Sequence, residues 1–474
     1  MQTTLPSKQG ALWRRPRTLD LVILLVLALL AGFTLFYRLD EGSLYDWDEG
    51  LHAQMAVEMI WHHTPLTPQL EGKLHFTKPP LYYWEEMLTF GFLGENELAA
   101  RLPAALAGLG MVLLTFLVGR DLFGRAAGTG AALLLLIVRN GVYAYHFNLV
   151  SISRMAMMES SLAFWGALAM WLAWRGERDR RYLVWMGLPL GAAIMTKNVA
   201  GLLPLCGLIL FYLLTRSLRQ WPWRELGLAV AIMAAIALPW PLYQAVRHGP
   251  AFWDPYLVNN VLNRATTVLD AASHAGPIWF YLQIIGQGFA DVAFVLPLAA
   301  IYGAYQLVRI RERQWAFLLA WLAVPLAIYS LARTKMPWYI LPSYPALALL
   351  GAGFLVRILR ARWALAFIIA FMVLSGWQLP QPGNADPDMK QVASTVQQLP
   401  ADQAVAVCSQ DGTRPIALFY AGRPVLSFAY EQGGLEQAQA SAPYLLTDTD
   451  AWDLSRTDGE LIAQAGAQLL IKWK

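Results

Sequence analysis

Carboxylates and a lysine stand out in the segment 46–84, which follows an apolar stretch long enough to cross a bilayer. Asp46, Asp48 and Glu49 come first, and Lys78 follows about thirty residues later, directly before two prolines. Charged groups beside lipid carry a free-energy cost and usually serve a function. A carboxylate can take up a proton, and an ammonium on a proline-stiffened loop is a positioned positive charge. The segment is therefore predicted to be half of an active site.

Each of these features also has a simpler interpretation. The acidic residues could form a solvated loop or cap the next helix, and Lys78 could extend its ammonium from the lipid boundary into water. The choice between the interpretations depends on what the rest of the chain positions around this segment.

Composition indicates a helical membrane protein. The 474 residues are 57% hydrophobic and 14% charged, with a mean hydropathy of +0.41, so there is too little charge to cover one soluble globule. Backbone groups in hydrocarbon must pair within their own segment, and the apolar runs are longer than barrel strands. The chain is therefore predicted to be an all-α polytopic membrane protein.

The apolar runs predict about eleven transmembrane helices. The first, 21–37, follows an arginine-rich start and is longer than the apolar part of a typical signal peptide, so it is interpreted as a signal anchor. The other runs lie near residues 98–118, 127–144, 155–174, 182–197, 199–215, 226–246, 278–307, 315–332, 338–356 and 363–378.

Arginines cluster in every second loop between these runs. By the positive-inside rule the basic loops face the cytoplasm. The loop 38–97, the loop 247–277 and the carboxy-terminal segment are then outside, and any chemistry carried by the first outer loop faces outward.

The character of the sequence changes beyond residue 378. Linker residues at 381–387 precede a helix-like stretch at 388–398. Strand-like segments follow near 404–408, 424–428, 443–447 and 467–473. The chain is thus divided into a membrane domain, 1–378, and a small extracytoplasmic α/β domain, 379–474. The two cysteines, Cys206 and Cys408, have no metal-like or redox spacing, and no disulfide is expected between them.

Several motifs, in order, resemble the polyprenyl-phosphate-sugar-dependent glycosyltransferases of the GT-C type. The nearest branch joins the lipid A aminoarabinose transferases to the protein O-mannosyltransferases. The resemblance covers the whole membrane portion and rests on residues 48–53, 58–59, 67–72 and 78–84 in the first outer loop, and on 153–159, 195–201 and 333–346 further along.

The resemblance implies a catalytic set of Asp48, Glu159, Glu49 and His52. The first-loop aspartate of the family corresponds to Asp48, either as general base or as a carboxylate that orients the acceptor. Desolvation would raise its pKa, and a neighbouring cation would lower it. Glu159 stands where the aminoarabinose branch commonly has aspartate, and pairing with Arg154 is the alternative. His52 lies one helical turn after Asp48 if the segment is helical, where it could assist the base.

The resemblance also implies a site for the phosphate of the sugar donor. Lys78 is the first candidate, Arg264 is the second, and Lys335 with Tyr339 is the third. Arginine suits phosphate by its planar fork, and lysine and tyrosine suit it by single hydrogen bonds. Lys197 is assigned more simply, as an anchor of the turn between two spans.

The implied reaction moves a sugar, with inversion, from a polyprenyl-phosphate donor to a hydroxyl on a lipid, glycan or protein, at the outer face of the cytoplasmic membrane. No cofactor, nucleic acid or metal is expected, since only His62 and His63 among the histidines are adjacent. The alternatives are a transporter and a non-catalytic envelope-assembly protein. A transporter should have broken helices and charges near the bilayer midplane, whereas the polar residues here gather at the outer ends of spans.

Overall fold

The computed structural model describes residues 18–46, 48–137, 147–218, 221–268, 275–374, 378–410 and 412–474. Up to residue 374 it is almost entirely helical. The longer helices of this part are Thr18–Phe36, Asp48–Trp61, Leu81–Leu93, Glu97–Phe123, Arg125–Leu135, Met158–Gly176, Gly187–Lys197, Leu203–Leu214, Trp223–Ala237, Pro239–His248, Phe280–Phe289, Val295–Tyr305, Arg313–Leu331, Tyr344–Leu359 and Ala361–Leu374. The shorter ones are Leu149–Ser153, Arg181–Trp185, Pro250–Trp253 and Arg264–Thr266, with 3₁₀ or π turns at Asn198–Leu202, Asp254–Asn263, Ala290–Phe294, Gln306–Ile310 and Pro337–Ser343.

Among the described residues, six helical stretches are long and apolar enough to cross a membrane: Thr18–Phe36, Glu97–Phe123, Arg181–Leu214, Val292–Ile310, Arg313–Leu331 and Pro337–Leu359. Trp223–Ala237 and Pro239–His248 meet at 43° and would make a seventh as one bent span. The all-helical membrane fold is confirmed, but the count of about eleven is not. The runs 182–197 and 199–215 join into a single stretch, and the run 363–378 forms a helix of only 14 residues.

The first outer loop is an ordered unit between two membrane helices. It contains the helix Asp48–Trp61, the short antiparallel strands β1 (Gln69–Leu70) and β2 (Lys73–Leu74), and the helix Leu81–Leu93. The buried Glu58 carboxylate accepts hydrogen bonds from the backbone N–H groups of Glu71 and Gly72, at 2.8 and 3.0 Å. The turn between the strands is thereby tied to the helix that begins at Asp48.

The C-terminal part is a small α/β unit, as the sequence predicts. Its five strands are β3 (Val405–Ser409), β4 (Leu426–Ala429), β5 (Tyr444–Asp448), β6 (Gly459–Ala465) and β7 (Gln468–Trp473), in the order β4-β3-β5-β7-β6. β3 is parallel to β4 and β5, whereas β7 is antiparallel to β5 and β6. Four strands fall within about two residues of the predicted ones. β6 was missed because its side chains are largely exposed and it carries no clear apolar alternation. The helices are Pro387–Thr395, Pro415–Ala421 and Gly434–Ser441, with 3₁₀ turns at Val396–Gln398 and Tyr430–Gln432.

The first outer loop and the C-terminal unit share one hydrophobic core. Ala53 and Tyr82 from the loop pack in the same buried cluster as Ile416 and Leu418 from the helix Pro415–Ala421. The domain boundary between residues 378 and 379 stays a prediction. The apolar surface buried in the shared core couples the first outer loop to the C-terminal unit. A separate and larger core fills the membrane helices.

Candidate active site

Asp48 opens the first helix of the outer loop. It is partly exposed, and its backbone N–H donates to the carbonyl of Asp46 at 2.9 Å. Among the described residues, no group donates a hydrogen bond to its carboxylate, which is therefore available to a ligand. Burial raises the pKa of Asp48 to about 6, and the nearby Glu159 carboxylate adds to the rise. A carboxyl with this pKa is ionised at neutral pH yet basic enough to accept a proton.

Three cations act on the Asp48 carboxylate and oppose this rise in pKa: Lys197, Lys78 and Arg264. They come from three distant parts of the chain, so the fold assembles the cluster. The sequence expectation that desolvation and cations act on this aspartate in opposite directions is confirmed. The two groups expected to form the centre of the site, Asp48 and Lys78, are brought together.

Lys78 lies on the loop that precedes the helix Leu81–Leu93. Its Nζ donates to Asn260 Oδ1 at 3.3 Å, and the Asn260 amide donates in turn to the carbonyl of Thr77. Burial lowers the pKa of Lys78 well below its usual value, and the charges of Lys197 and Arg264 lower it further. A lysine in such a place gains from a nearby anion, because an added negative charge favours the ammonium form.

Arg264 and Tyr339 form the other cationic part of the site. Arg264 Nη1 donates to the Tyr339 hydroxyl at 2.8 Å, and both residues are partly exposed. The backbone N–H of Thr334 donates to the carbonyl of Arg264 at 3.1 Å, which ties the two segments together. The remaining N–H groups of the guanidinium form no hydrogen bond among the described residues, so they can bind an anion.

Glu159 and Lys197 form a buried ion pair behind these exposed groups. Lys197 Nζ contacts Glu159 Oε1 and also lies 4.3 Å from the centre of the Tyr339 ring. The alternative interpretation, a pair of Glu159 with Arg154, is wrong, because Arg154 Nη1 donates instead to the carbonyls of Thr34 and Leu35 at the end of the first helix. Lys197 was expected only to anchor a turn, and its partner Glu159 was not predicted.

His52 lies on the same helix as Asp48 and is almost fully buried. Its Nδ1 lies 3.1 Å from the carbonyl oxygen of Ala156, and its ring packs edge-on against Tyr82 with centroids 5.7 Å apart. Burial lowers the pKa of His52 to about 4, so the ring is neutral at pH 7. A neutral ring bonded to a carbonyl carries its proton on Nδ1.

Glu49 is not part of the exposed cluster, which corrects its place in the catalytic set. Its carboxylate is fully buried and faces Arg101, with Oε1 3.0 Å from Nε. It also accepts from the backbone N–H groups of Tyr45 and Ala156, each at 2.8 Å. With these donors in place the carboxylate fixes the start of the helix and is turned away from Asp48's surroundings.

Lys335 also differs from expectation. Its Nζ donates to the carbonyls of Ser330, at 3.0 Å, and Ala332, at the end of the helix Arg313–Leu331. Within the described residues, no hydrogen bond or ion pair joins it to Asp48, so its role at the phosphate stays a prediction. Asn260 was not assigned a role from sequence, although its position four residues before Arg264 in an outer loop could have indicated one.

An apolar groove of about 390 Å³ lies beside the charged cluster. Leu81 and Trp84 line it from the helix that follows Lys78, and Met195 lines it from the helix that ends at Lys197. The other lining residues are Leu66, Ala192, Ile236, Pro239, Trp240 and Tyr243. The segments that carry Lys78 and Lys197 therefore continue into a surface suited to a hydrocarbon chain. Among the described residues, no group of three or more His, Cys, Asp or Glu side chains is arranged to hold a metal ion.

Related sequences agree with this architecture. The family described as dolichyl-phosphate-mannose-protein mannosyltransferase matches residues 77–241. A Pseudomonas paraeruginosa undecaprenyl phosphate-alpha-4-amino-4-deoxy-L-arabinose arabinosyl transferase is 32% identical over 351 residues, which is 71% of this chain and 61% of that protein. An uncharacterized protein of Aquifex aeolicus is 28% identical over 322 residues, or 68% of this chain and 61% of its own. The matches thus span less than two thirds of these relatives.

Solved structures match over nearly the whole chain. ArnT from Cupriavidus metallidurans, bound to undecaprenyl phosphate, has a TM-score of 0.73 at 19% identity and covers 96% of this chain and 97% of its own. The Archaeoglobus fulgidus oligosaccharyltransferase AglB, in complex with an inhibitory peptide and a dolichol-phosphate, has a TM-score of 0.63 at 14% identity and covers 91% and 70%. At these identities the likeness shows the fold. Sequence relatives and fold together lead to one conclusion: the chain belongs to the GT-C glycosyltransferase family.

Proposed function

We propose that this protein is a membrane glycosyltransferase that moves a sugar from a polyprenyl-phosphate donor to an acceptor hydroxyl. The observation that carries the proposal is the meeting of a free carboxylate, Asp48, with the cations Lys78 and Arg264 in one partly exposed cluster. A sugar phosphate already has a good leaving group. The enzyme then needs a base for the acceptor and cations for the departing phosphate, and this cluster contains both.

The reaction is a single displacement. The acceptor oxygen forms a bond to the anomeric carbon, and the bond from that carbon to the phosphate oxygen breaks. The proton of the acceptor hydroxyl goes to Asp48, and the bonding electrons leave with the phosphate. Because attack and departure occur on opposite sides of the carbon, the anomeric configuration inverts.

Lys78, Arg264 and the Tyr339 hydroxyl receive the phosphate. Their role is supported by their partial exposure and by the hydrogen bonds that hold them, from Lys78 to Asn260 at 3.3 Å and from Arg264 to Tyr339 at 2.8 Å. Side chains held in this way are oriented before the ligand arrives, which favours stabilisation of the charge that develops on the leaving group.

Glu159, Lys197 and His52 act behind the reacting groups. All three are buried, with exposed fractions of 8% or less, so they do not offer a surface to a large substrate. Lys197 adds a positive charge that limits the rise in the pKa of Asp48, and Glu159 holds Lys197 in place. We assign these residues to tuning and positioning.

The apolar groove is suited to the polyprenyl chain. Leu81, which lines the groove, follows Lys78 by three residues, so a lipid seated there can present its phosphate end to the cations. Arginines cluster in every second loop, and by the positive-inside rule this pattern supports a location of the phosphate end at the outer face of the cytoplasmic membrane. The names of the relatives make undecaprenyl phosphate-4-amino-4-deoxy-L-arabinose the first donor to test, ahead of mannosyl donors.

The test is sugar transfer by purified protein in lipid nanodiscs. Synthetic polyprenyl-phosphate sugars carry a radiolabel in the sugar, and envelope membranes lacking the protein supply the acceptor. We expect labelled glycolipid or glycoprotein with wild type and a loss of about a thousandfold or more with Asp48→Asn, which removes the base. Full activity of Asp48→Asn would refute the base assignment. Wild type that is inert with every donor would refute the proposal.

A further inference from the structure

The backbone directly before Asp48 is held by the C-terminal domain. Side chains of this domain bond three successive residues of the segment. Lys390 donates to the carbonyl of Gly42 at 2.9 Å, the N–H of Ser43 donates to Asn384 at 3.1 Å, and the N–H of Leu44 donates to the Tyr420 hydroxyl at 2.7 Å. Contacts from outside the loop therefore fix the path of the chain into the catalytic helix.

Asp46, two residues before the proposed base, extends this link towards Asp48. Its Oδ1 accepts from the backbone N–H of Ile416 at 3.2 Å, and its Oδ2 lies 3.5 Å from Arg414 Nε. Its carbonyl accepts from the N–H of Asp48 at 2.9 Å. A displacement of Asp46 is thus passed to Asp48 through a direct hydrogen bond.

Arg414 is the centre of this contact. Its guanidinium reaches Asp46, Asp386 through Nη2 at 2.6 Å, and Gln468 through Nη1 at 3.0 Å. Asp386 in turn donates its backbone N–H to the Ser43 hydroxyl at 2.8 Å. A planar guanidinium that meets three partners has a fixed orientation, which a lysine at the same place does not reproduce.

We propose that Arg414 is a positioning residue that holds the turn carrying Asp48 in its reactive place. The inference rests on the proposed function. Arg414 does not touch the cluster of Lys78, Arg264 and Glu159 through any contact in the described part of the chain. It acts through Asp46, and small errors in the placement of a catalytic group lower the rate by about a hundredfold. The C-terminal domain then completes the active site and does not merely cover it.

The experiment compares Arg414→Ala and Arg414→Lys with a matched control, Arg423→Ala. Arg423 donates to the carbonyls of Leu399 and Pro400 within the C-terminal domain, and none of its hydrogen bonds in the described part of the chain reaches the first outer loop. The probes are radiolabelled undecaprenyl phosphate-4-amino-4-deoxy-L-arabinose with envelope membranes as acceptor, and undecaprenyl phosphate alone for binding.

We expect kcat of Arg414→Ala to fall by about tenfold to a hundredfold, with the KM for the sugar donor and the affinity for undecaprenyl phosphate within about twofold of wild type. The kcat of Arg414→Lys should lie between those of wild type and Arg414→Ala. Arg423→Ala should keep the wild-type kcat. The kcat is calculated per molecule that binds undecaprenyl phosphate, because a structural role alone would lower the amount of folded protein and leave this value at the wild-type level.

Equal kcat values for Arg414→Ala and Arg423→Ala would overturn the inference, whether both are high or both are low. If Arg414→Ala does not fold, Asp46→Asn takes its place, because it removes the charge opposite Arg414 and keeps the oxygen that accepts from Ile416. Wild-type kcat in Asp46→Asn would then overturn the inference. Inert wild type would instead refute the proposed function, so the two failures are distinct.

Discussion

Removing either charge of the buried pair Glu159 and Lys197 should shift the pKa of Asp48, and the two shifts should have opposite signs. Both charges act on Asp48, whose pKa of about 6 is raised by Glu159 and lowered by Lys197. Replacing Lys197 with Met removes the cation and should raise the pKa of Asp48 above 6. Replacing Glu159 with Gln should lower that pKa below 6.

The size of each effect follows from Coulomb's law. At an effective dielectric constant of about 20, two unit charges about 10 Å apart interact by about 1.7 kcal/mol, which equals about one pKa unit. Because Asp48 must be ionised to act as a base, kcat/KM falls as the pH drops through the pKa of the free enzyme. This fall of kcat/KM at low pH is the acid limb of the pH profile. The acid limb should therefore move up by about one pH unit in Lys197→Met and down by about one unit in Glu159→Gln.

Stability provides a second readout of the same pair. The Glu159 and Lys197 side chains are only 4% and 10% exposed, and breaking a buried pair by removing one partner costs about 3–5 kcal/mol. The double variant Glu159→Gln with Lys197→Met should recover part of this loss and return the acid limb close to its wild-type position.

The assay is the pH dependence of kcat/KM for sugar transfer from undecaprenyl phosphate-4-amino-4-deoxy-L-arabinose, with thermal unfolding in nanodiscs measured in parallel. Glu177→Gln is the control. Glu177 follows the last residue of the helix Met158–Gly176, at the opposite end from Glu159, and pairs there with Arg313. The acid limb of this control should not move. Shifts of the same sign in the two single variants, or no shift in either, would refute the electrostatic reasoning.

Three further predictions address single groups. Wild-type kcat/KM should fall about tenfold per pH unit below about pH 6, because protonation removes the Asp48 base; a limb near pH 4 would contradict the raised pKa. Lys78→Gln should raise the KM for the sugar donor at least tenfold, whereas Lys73→Gln, at an exposed position in the same loop, should not; equal effects would contradict the phosphate assignment. Gly50→Ala should lower activity and melting temperature, because a Cβ there would lie 2.5 Å from Ile416 Cγ2; adding Ile416→Ala should restore part of both, and failure of this rescue would argue against the packing explanation.

The sequence predicts the charged residues of the proposed site better than it predicts the partners that hold them. Asp48 and Lys78 are recognisable because charged groups beside an apolar run cost free energy, and because the motifs around them resemble those of one family. Local pattern also placed four of the five C-terminal strands, since a short apolar run is a property of neighbouring residues. These features depend on short segments that carry their own signal.

Pairings between distant segments could not be predicted in this way. Glu159 had a nearby arginine to pair with, and only the fold shows that a lysine 38 residues away is its partner. The link from Asp46 to Ile416 joins residues 370 apart. Lys335 is of the right type for a phosphate, but the open end of a membrane helix takes its ammonium. Residue type sets what a side chain can do, and tertiary packing decides which partner it meets.

The charges around Asp48 suit the whole course of the proposed reaction. The groups that act most strongly on it are one carboxylate, Glu159, and three cations, Lys197, Lys78 and Arg264. With ionised Asp48 the cluster carries a net charge of about +1, and a donor phosphodiester carries about −1, so the loaded site is close to neutral. After transfer Asp48 has gained a proton while the released phosphate monoester has gained about one negative charge, so the sum does not change. A site of fixed charges whose net charge stays constant needs little electrostatic reorganisation as the bond breaks, which is the condition under which fixed cations lower a barrier most.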